Sequence, residues 1–364
     1  MKRFIALTLC FVLLMSFAAC TGGNGNSDET VNTTTAAETQ PQTTAVDYSE
    51  KIEKRIDALG FEGLVYVTSN SEDIYTQTNG KDEKGNELTL STPMYIGSLS
   101  KQFCAASVMK LIEEGKLSKE DTLDKFFPEY EAGKGISIHN LLCMRSGIHD
   151  YLEASAEVFD KDKEEEENVS AMLNWIFSQP LDFETGTKLE YSNTNYFLLG
   201  NIIEQVTGQH YESYIRENIF EPLEMKDSGF VSEVEENAAF SKSLSYDSFT
   251  VSEDAKGAVK GAGDIVSTAK DMDKWMTALK SGKVVSQQSF EEMKTDHSPD
   301  YARKYGYGLE SMFMGVGHTG RIGNYGSVNF MSSTGDYNIY AVGFNVDERV
   351  CNVPSVVMSA ISEG

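Results

Sequence analysis

The chain is short of positive charge. It sets 31 Lys and Arg against 56 Asp and Glu, a formal net charge of −25 over 364 residues. Nucleic-acid binders concentrate Lys and Arg where phosphates run, so no nucleic acid is expected as a partner. The same deficit argues against an electrostatic hold on anionic lipid. Cysteine is scarce too: Cys10, Cys20, Cys104, Cys143 and Cys351, with no Cys-x-x-Cys. The first two fall in the N-terminal leader, and the remaining three are odd in number, so no disulfide framework is expected. Cys104 and Cys143 lie among apolar residues and read as small core side chains. There is no Gly-x-Ser-x-Gly, no phosphate-binding loop and no His-Glu-x-x-His. His139 and His149 stand too isolated to argue for zinc, and no metal or cofactor is expected. What is present is apolar material, 40% of the chain with 17 Tyr and 19 Phe, enough for one large core or two ordinary ones.

Met1-Lys2-Arg3 is followed by a largely apolar run from Phe4 to Ala19, too short to span a membrane comfortably. The run ends in small residues before Cys20. This layout predicts a signal peptide over residues 1–19 and lipidation of Cys20, as in a bacterial lipobox. Thr21 to Ala45 is rich in Thr, Asn, Gly and Ser and cannot bury apolar surface. Residues 20–46 are thus expected to form a tether, leaving 47–364 as the folded part. No later apolar run is long enough to cross a bilayer. The expectation is a monomer outside the cytoplasm, attached to a bacterial membrane only by its N-terminal lipid.

Periodicity orders the rest. Ile52, Ile56 and Leu59 share a helical face. Residues 63–68 and 74–78 read as strands around a polar turn. A helix is predicted up to Gly115, a short one over 136–144, and others over 196–206, 211–219 and 269–279. The acidic run Glu164 to Glu167 reads as a solvated face or insertion. Residues 327–331 and 337–344 flank a Thr334-Gly335-Asp336 turn, a hairpin signal, and a last helix covers 353–361. Strands thus cluster at both chain ends and helices in the middle. The fold predicted is α/β of the α+β kind: one antiparallel sheet built from both ends, flanked by helices, with a mainly helical subdomain inserted.

Three short motifs could carry chemistry. Ser98-Leu-Ser-Lys101 places an amine three residues from a hydroxyl, on one face if a helix begins at Ser98. A serine is a weak nucleophile until a base takes its proton, and a lysine whose pKa is lowered can be that base. The helix start also offers free N–H groups to an oxyanion. Alone the motif is weak: Ser267-Thr-Ala-Lys270 repeats it, and there Thr268 and Asp271 read as a helix cap. Tyr191-Ser-Asn193 precedes a helix; a phenol can relay a proton and an amide can bind a carbonyl or orient the lysine. His318-Thr319-Gly320 lies on or near a strand, whose edge could hold an extended substrate and complete an oxyanion hole. Gly315-Val-Gly317-His-Thr-Gly320 fits a dinucleotide fingerprint, but in a strand-rich region with no following helix it is a decoy.

In this order the motifs resemble the serine β-lactamase and penicillin-binding-protein-like hydrolases, most of all the branch of class C β-lactamases, D-alanyl-D-alanine carboxypeptidases and related esterases. The stretches Asn140 to His149, Tyr191 to Gly200, Ile219 to Met225 and Gly261 to Thr268 are similar to further landmarks of that family. The resemblance runs from about Asp47 to the C-terminus. It implies a covalent mechanism with Ser98 as nucleophile, Lys101 and Tyr191 moving the proton, and Asn193 holding substrate or lysine. It implies an oxyanion hole from the N–H groups of Ser98 and Arg321, with His318, Thr319, Gly320 and Arg321 contacting substrate. Penicillin-recognising members usually carry Lys where His318 stands. The resemblance therefore implies an esterase or D-alanyl-D-alanine carboxypeptidase acting on a small ester, amide or D-amino-acid peptide, possibly cell-wall derived. The alternatives are a weak class C-like β-lactamase or a non-catalytic module binding peptidoglycan fragments. Asn324 stands where relatives often have Gly; Asn tolerates a positive φ, so the turn is expected to survive.

Overall fold

The computed structural model describes residues 47–364 apart from 161, 235, 245–256, 258, 299–303, 345–347 and 364. The signal peptide, Cys20 and the tether lie outside the described residues. The first elements are α1 (Ser49–Leu59), β1 (Leu64–Ser69), β2 (Glu72–Thr78), β3 (Met94–Tyr95) and α2 (Ser100–Glu113). The middle of the chain holds α3 (Ile138–Leu142), α4 (Leu152–Val158), α5 (Glu165–Ser178), α6 (Asn193–Thr207) and α7 (Tyr211–Ile215). Next come β4 (Gly229–Phe230), β5 (Ile265–Ser267), α8 (Ala269–Lys280) and α9 (Gln287–Lys294). The chain closes with β6 (Glu310–Met312), β7 (Gly315–Ile322), β8 (Tyr325–Ser332), β9 (Tyr337–Phe344) and α10 (Val353–Ser362).

Six strands form one antiparallel sheet in the order β2-β1-β9-β8-β7-β6, so its first and last thirds of sequence meet at the β1–β9 pair. Side chains of a strand alternate between faces. Along β1, Val65 and Val67 join α1 and α10 in one core, while Leu64 and Tyr66 join the larger core under α2 and α8. Ile339 and Ala341 against Tyr340 and Val342 repeat the alternation on β9. Phe103 of α2 stacks on Trp275 of α8 with ring centroids 3.9 Å apart, which ties the two helices together. The two-ended antiparallel sheet with helices between its halves is the fold the sequence predicts.

Some details differ. β3, β5 and β4 form a second three-stranded sheet, each too short to show a period of two in sequence. The helix expected over 211–219 is α-helical only to Ile215 and widens into a π turn at Arg216–Phe220. In the hairpin between β7 and β8 the positive φ belongs to Gly323, at +50°, and Asn324 does not need it.

The acidic run is not simply a solvated face. Its carboxylates occupy the first turn of α5, where the helix dipole favours them. Glu165 also reaches inward, 3.1 Å from the buried Lys260 Nζ and 3.2 Å from His210 Nε2. Lys260 Nζ lies a further 2.9 Å from Glu204. Burial pushes the Glu165 carboxyl up, but the His210 hydrogen bond and the Lys260 charge outweigh it and hold it at about 2. A carboxyl lowered on folding stabilises the fold above its unfolded pKa, and that stability is lost as pH falls through the folded one. The drop from 4.5 to about 2 makes the effect up to about 3 kcal/mol between pH 5 and pH 2. Glu165→Gln is expected to flatten that limb of a plot of denaturation midpoint against pH; an unchanged acid limb counts against it.

Candidate active site

Ser98 does not begin α2. It sits in a 3-10 turn, Gly97–Leu99, that feeds the helix. Gly97, with φ at +53°, makes the sharp entry into that turn. Residues three apart are nearly eclipsed in 3-10 geometry, so the Ser-x-x-Lys spacing still brings the two side chains together. Lys101 Nζ is 3.0 Å from Ser98 Oγ. The lysine is fully buried, and its Nζ also donates to Asn193 Oδ1 at 2.8 Å and to the Ala262 carbonyl at 2.6 Å. Its cation stands 4.9 Å from the centre of the Tyr191 ring and 5.8 Å from that of Tyr196.

Three acceptors match three N–H groups of an ammonium. They match a neutral amine equally well: two N–H groups go to Asn193 and Ala262, and the lone pair faces the Ser98 hydroxyl. The site therefore accommodates the lysine before and after it takes a proton. Asn193 is held in turn by Asp150, whose Oδ2 accepts from Asn193 Nδ2 at 2.9 Å and from its backbone N–H at 3.2 Å. The amide oxygen of Asn193 is thus committed to Lys101 rather than turned to the pocket.

β6 pairs with β7 only over Gly315 to Gly317. From Thr319 onward that side of β7 runs past the serine turn. A Cβ on Gly97 would come 3.0 Å from the Arg321 backbone, and one on Gly320 would come 2.3 Å from the Ile96 carbonyl. The two glycines let the strand and the turn touch, which brings the backbone of Ser98 and Arg321 to one place. Gly320→Ala is expected to push β7 off the turn. Overpacking of this kind costs about 1–3 kcal/mol, and a misplacement near 1 Å costs on the order of 100-fold in rate. Melting and turnover measured on one preparation check both; a variant with wild-type values in both contradicts the packing account.

Ser98, Tyr191, Asn193, Thr319, Gly320 and Arg321 line one pocket of about 880 Å³, together with Leu152 and the Glu348–Asn352 segment. Lys101 lies directly beneath it. His318 is the exception among the residues expected to touch substrate. Residues 318 and 320 point to the same, inner face of β7, so its imidazole is fully buried, with Nε2 3.0 Å from Tyr305 Oη and Nδ1 2.5 Å from the Thr319 carbonyl. Its ring centre lies 6.2 Å from that of Tyr191. It supports the tyrosine side of the site from behind rather than forming the pocket wall.

Sequence reasoning missed Asp150, the Ala262 carbonyl and the Glu348–Asn352 wall. Asp150 directly follows the stretch 140–149, yet a backbone carbonyl carries no residue signal at all. It also missed Gln102, which follows Lys101 and bridges α2 to Asn329 of β8 and to Trp275 through buried amide hydrogen bonds of 2.6 and 2.9 Å. The second Ser-x-x-Lys is structural, as read: Ser267 is buried against Ser228, Lys270 is exposed, and Thr268 caps α8 by accepting from the Asp271 N–H.

A serine hydroxyl 3.0 Å from a buried lysine amine, set against the edge of an antiparallel strand, is an arrangement that can activate the serine as a nucleophile. Residues 49–342 match the family model described as Beta-lactamase, and the chain belongs to the β-lactamase family. Among curated relatives, PbpX of Bacillus subtilis (strain 168), named for penicillin binding, is 30% identical over 291 residues, covering 79% of this chain and 71% of its own. The teichoic acid D-alanine hydrolase of Staphylococcus aureus (strain MRSA252) is 28% identical over 269 residues, 71% of this chain and 65% of that one. Among solved structures, the D-amino acid amidase from Ochrobactrum anthropi SV3 superposes with a TM-score of 0.71 at 24% identity, over 87% of this chain and 99% of that chain. That likeness shows the shared fold.

Proposed function

We propose that the protein hydrolyses D-alanyl esters, and related small D-amino-acid amides, through an acyl-enzyme on Ser98. The observation that carries this reading is the 3.0 Å contact between Ser98 Oγ and the buried Lys101 Nζ at the floor of an open pocket. The neutral Lys101 amine takes the hydroxyl proton as Ser98 Oγ bonds to the substrate carbonyl carbon. The N–H groups of Ser98 and Arg321 stabilise the oxyanion. Tyr191 passes the proton to the leaving oxygen or nitrogen, and water then attacks the ester formed on Ser98. Asn193, fixed by Asp150, holds the lysine in place. The relatives named for teichoic acid D-alanine hydrolysis and D-amino acid amide hydrolysis support the D-alanyl choice, and the buried His318 leaves Arg321 as the cation of the third motif. A lipid on Cys20 and the tether at 20–46 would hold the domain outside the cytoplasm, where such substrates occur.

The test uses soluble protein, residues 46–364, offered a D-alanyl ester, a D-amino acid amide and a fluorescent penicillin, with a Ser98→Ala control. Ester turnover that the control lacks supports the reading. Serine-dependent penicillin labelling without ester turnover favours a D,D-peptidase instead. Silence in every assay favours a non-catalytic binding module.

A further inference from the structure

Several buried acids play no part in the mechanism, and one of them stands beside the lysine. Asp264 lies in the turn that presents the Ala262 carbonyl to Lys101, and it is almost fully buried. Its Oδ2 accepts the Gly261 N–H at 2.9 Å. Its Oδ1 has no hydrogen-bond partner among the described residues. The turn is clamped from several sides. The Asp264 carbonyl accepts from the Val231 N–H at 2.9 Å, and the next residue, Ile265, donates its N–H to Ser100 Oγ at 3.1 Å. A Cβ on Gly261 would come 2.7 Å from the Tyr196 carbonyl, so the turn has no slack.

We propose that Asp264 is a positioning residue for Lys101, acting through the 261–264 turn: its carboxylate holds Gly261, and Gly261 holds the Ala262 carbonyl on the lysine amine. This rests on the reading of Lys101 as the base. The groups facing Asp264 are Cys104 of α2, Tyr151, Tyr211 and Glu212 of α7, and Lys260. Burial, and then the Glu212 charge, push its carboxyl up to about 7 against the Gly261 hydrogen bond and the Lys260 charge. The geometry therefore makes the lysine's surroundings sensitive to pH in the neutral range. As pH falls through 7 the carboxyl takes up a proton, Gly261 loses a charged acceptor, and kcat drops while KM stays. Coupling of this kind through intermediate residues is worth about 2- to 30-fold.

Asp264→Asn separates charge from shape, because the amide oxygen can still accept the Gly261 N–H. The primary readout is the Lys101 ε-carbon resonance, assigned by Lys101→Met and followed from pH 5 to 9. The wild type is expected to show an inflection near pH 7 that Asp264→Asn lacks and Glu212→Gln moves to lower pH. An inflection that survives in Asp264→Asn, or is missing from the wild type, overturns the proposal. Should Asp264→Asn not fold, the Glu212→Gln shift decides alone, and an unmoved inflection there overturns it. The kcat profile on a D-alanyl ester is the second readout, with the step near pH 7 lost in Asp264→Asn. If no substrate turns over, the functional reading fails while the resonance still decides the role of Asp264.

Discussion

Replacing Ser98 with Ala is expected to abolish turnover of D-alanyl esters, lowering kcat by about 10⁴-fold or more. Its Oγ stands at the pocket floor 3.0 Å from Lys101 Nζ, where it can bond to a carbonyl carbon and pass its proton to the lysine. The methyl of Ala fits the 3-10 turn, and the backbone N–H groups of residues 98 and 321 remain in place. KM should therefore change little, and the denaturation midpoint should stay close to that of the wild type. Lys101 loses one acceptor, but Ser98 is only partly buried and pocket water can replace it. Ser267→Ala is the matching control. It removes the serine of the second Ser-x-x-Lys, whose Oγ is buried against Ser228 outside the pocket, and should leave kcat unchanged. Initial rates for the three proteins, with their melting curves, check the set. A Ser98→Ala protein that retains more than a few per cent of kcat contradicts the nucleophile assignment.

Lys101→Met is expected to cost roughly 10³- to 10⁴-fold in kcat, the upper part of the range for general acid–base groups. The thioether fills much the same volume but cannot take a proton. Stability responds less than rate, because two effects oppose. Asn193 Oδ1 and the Ala262 carbonyl lose their donor, about 1–3 kcal/mol for each buried acceptor left unmade. Against this, a fully buried amine no longer has to be desolvated. Lys101→Arg should not rescue the rate. A guanidinium stays charged at any working pH and cannot serve as a base. Urea midpoints read beside kcat separate the two effects. A Lys101→Met variant whose kcat falls only as far as its folded fraction would reduce the lysine to a packing role.

How much of this was legible in the sequence depends on the range of the interaction. The short apolar runs bounded by turn residues at both chain ends gave the two-ended sheet, because run composition and turn signals are local properties. Ser98, Lys101, Tyr191 and Asn193 stood out because their motifs are compact. What joins them was not legible. Asp150 supports Asn193 across 43 positions, and the Ala262 carbonyl meets Lys101 across 161. His318 was expected in the pocket because its motif suggested it. Facing is set by the strand's pleat, and Gly320, on the same face, is pressed against Ile96. The acidic run at 164–167 looked solvated because Lys260 and His210, its partners, lie 95 and 45 positions away. The sharp φ at Gly97 shifted the helix start by two residues while leaving the serine–lysine contact intact, since a 3-10 turn also brings i and i+3 together.

The most direct test of the central claim is intact-protein mass spectrometry on an acid-quenched mixture of residues 46–364 and a D-alanyl ester. The account predicts a mass increase of one D-alanyl group at early times. Peptide mapping should place it on Ser98, and Ser98→Ala should lack it. Ester hydrolysis that proceeds with no adduct at any quench time, and at the same rate in Ser98→Ala, would contradict it.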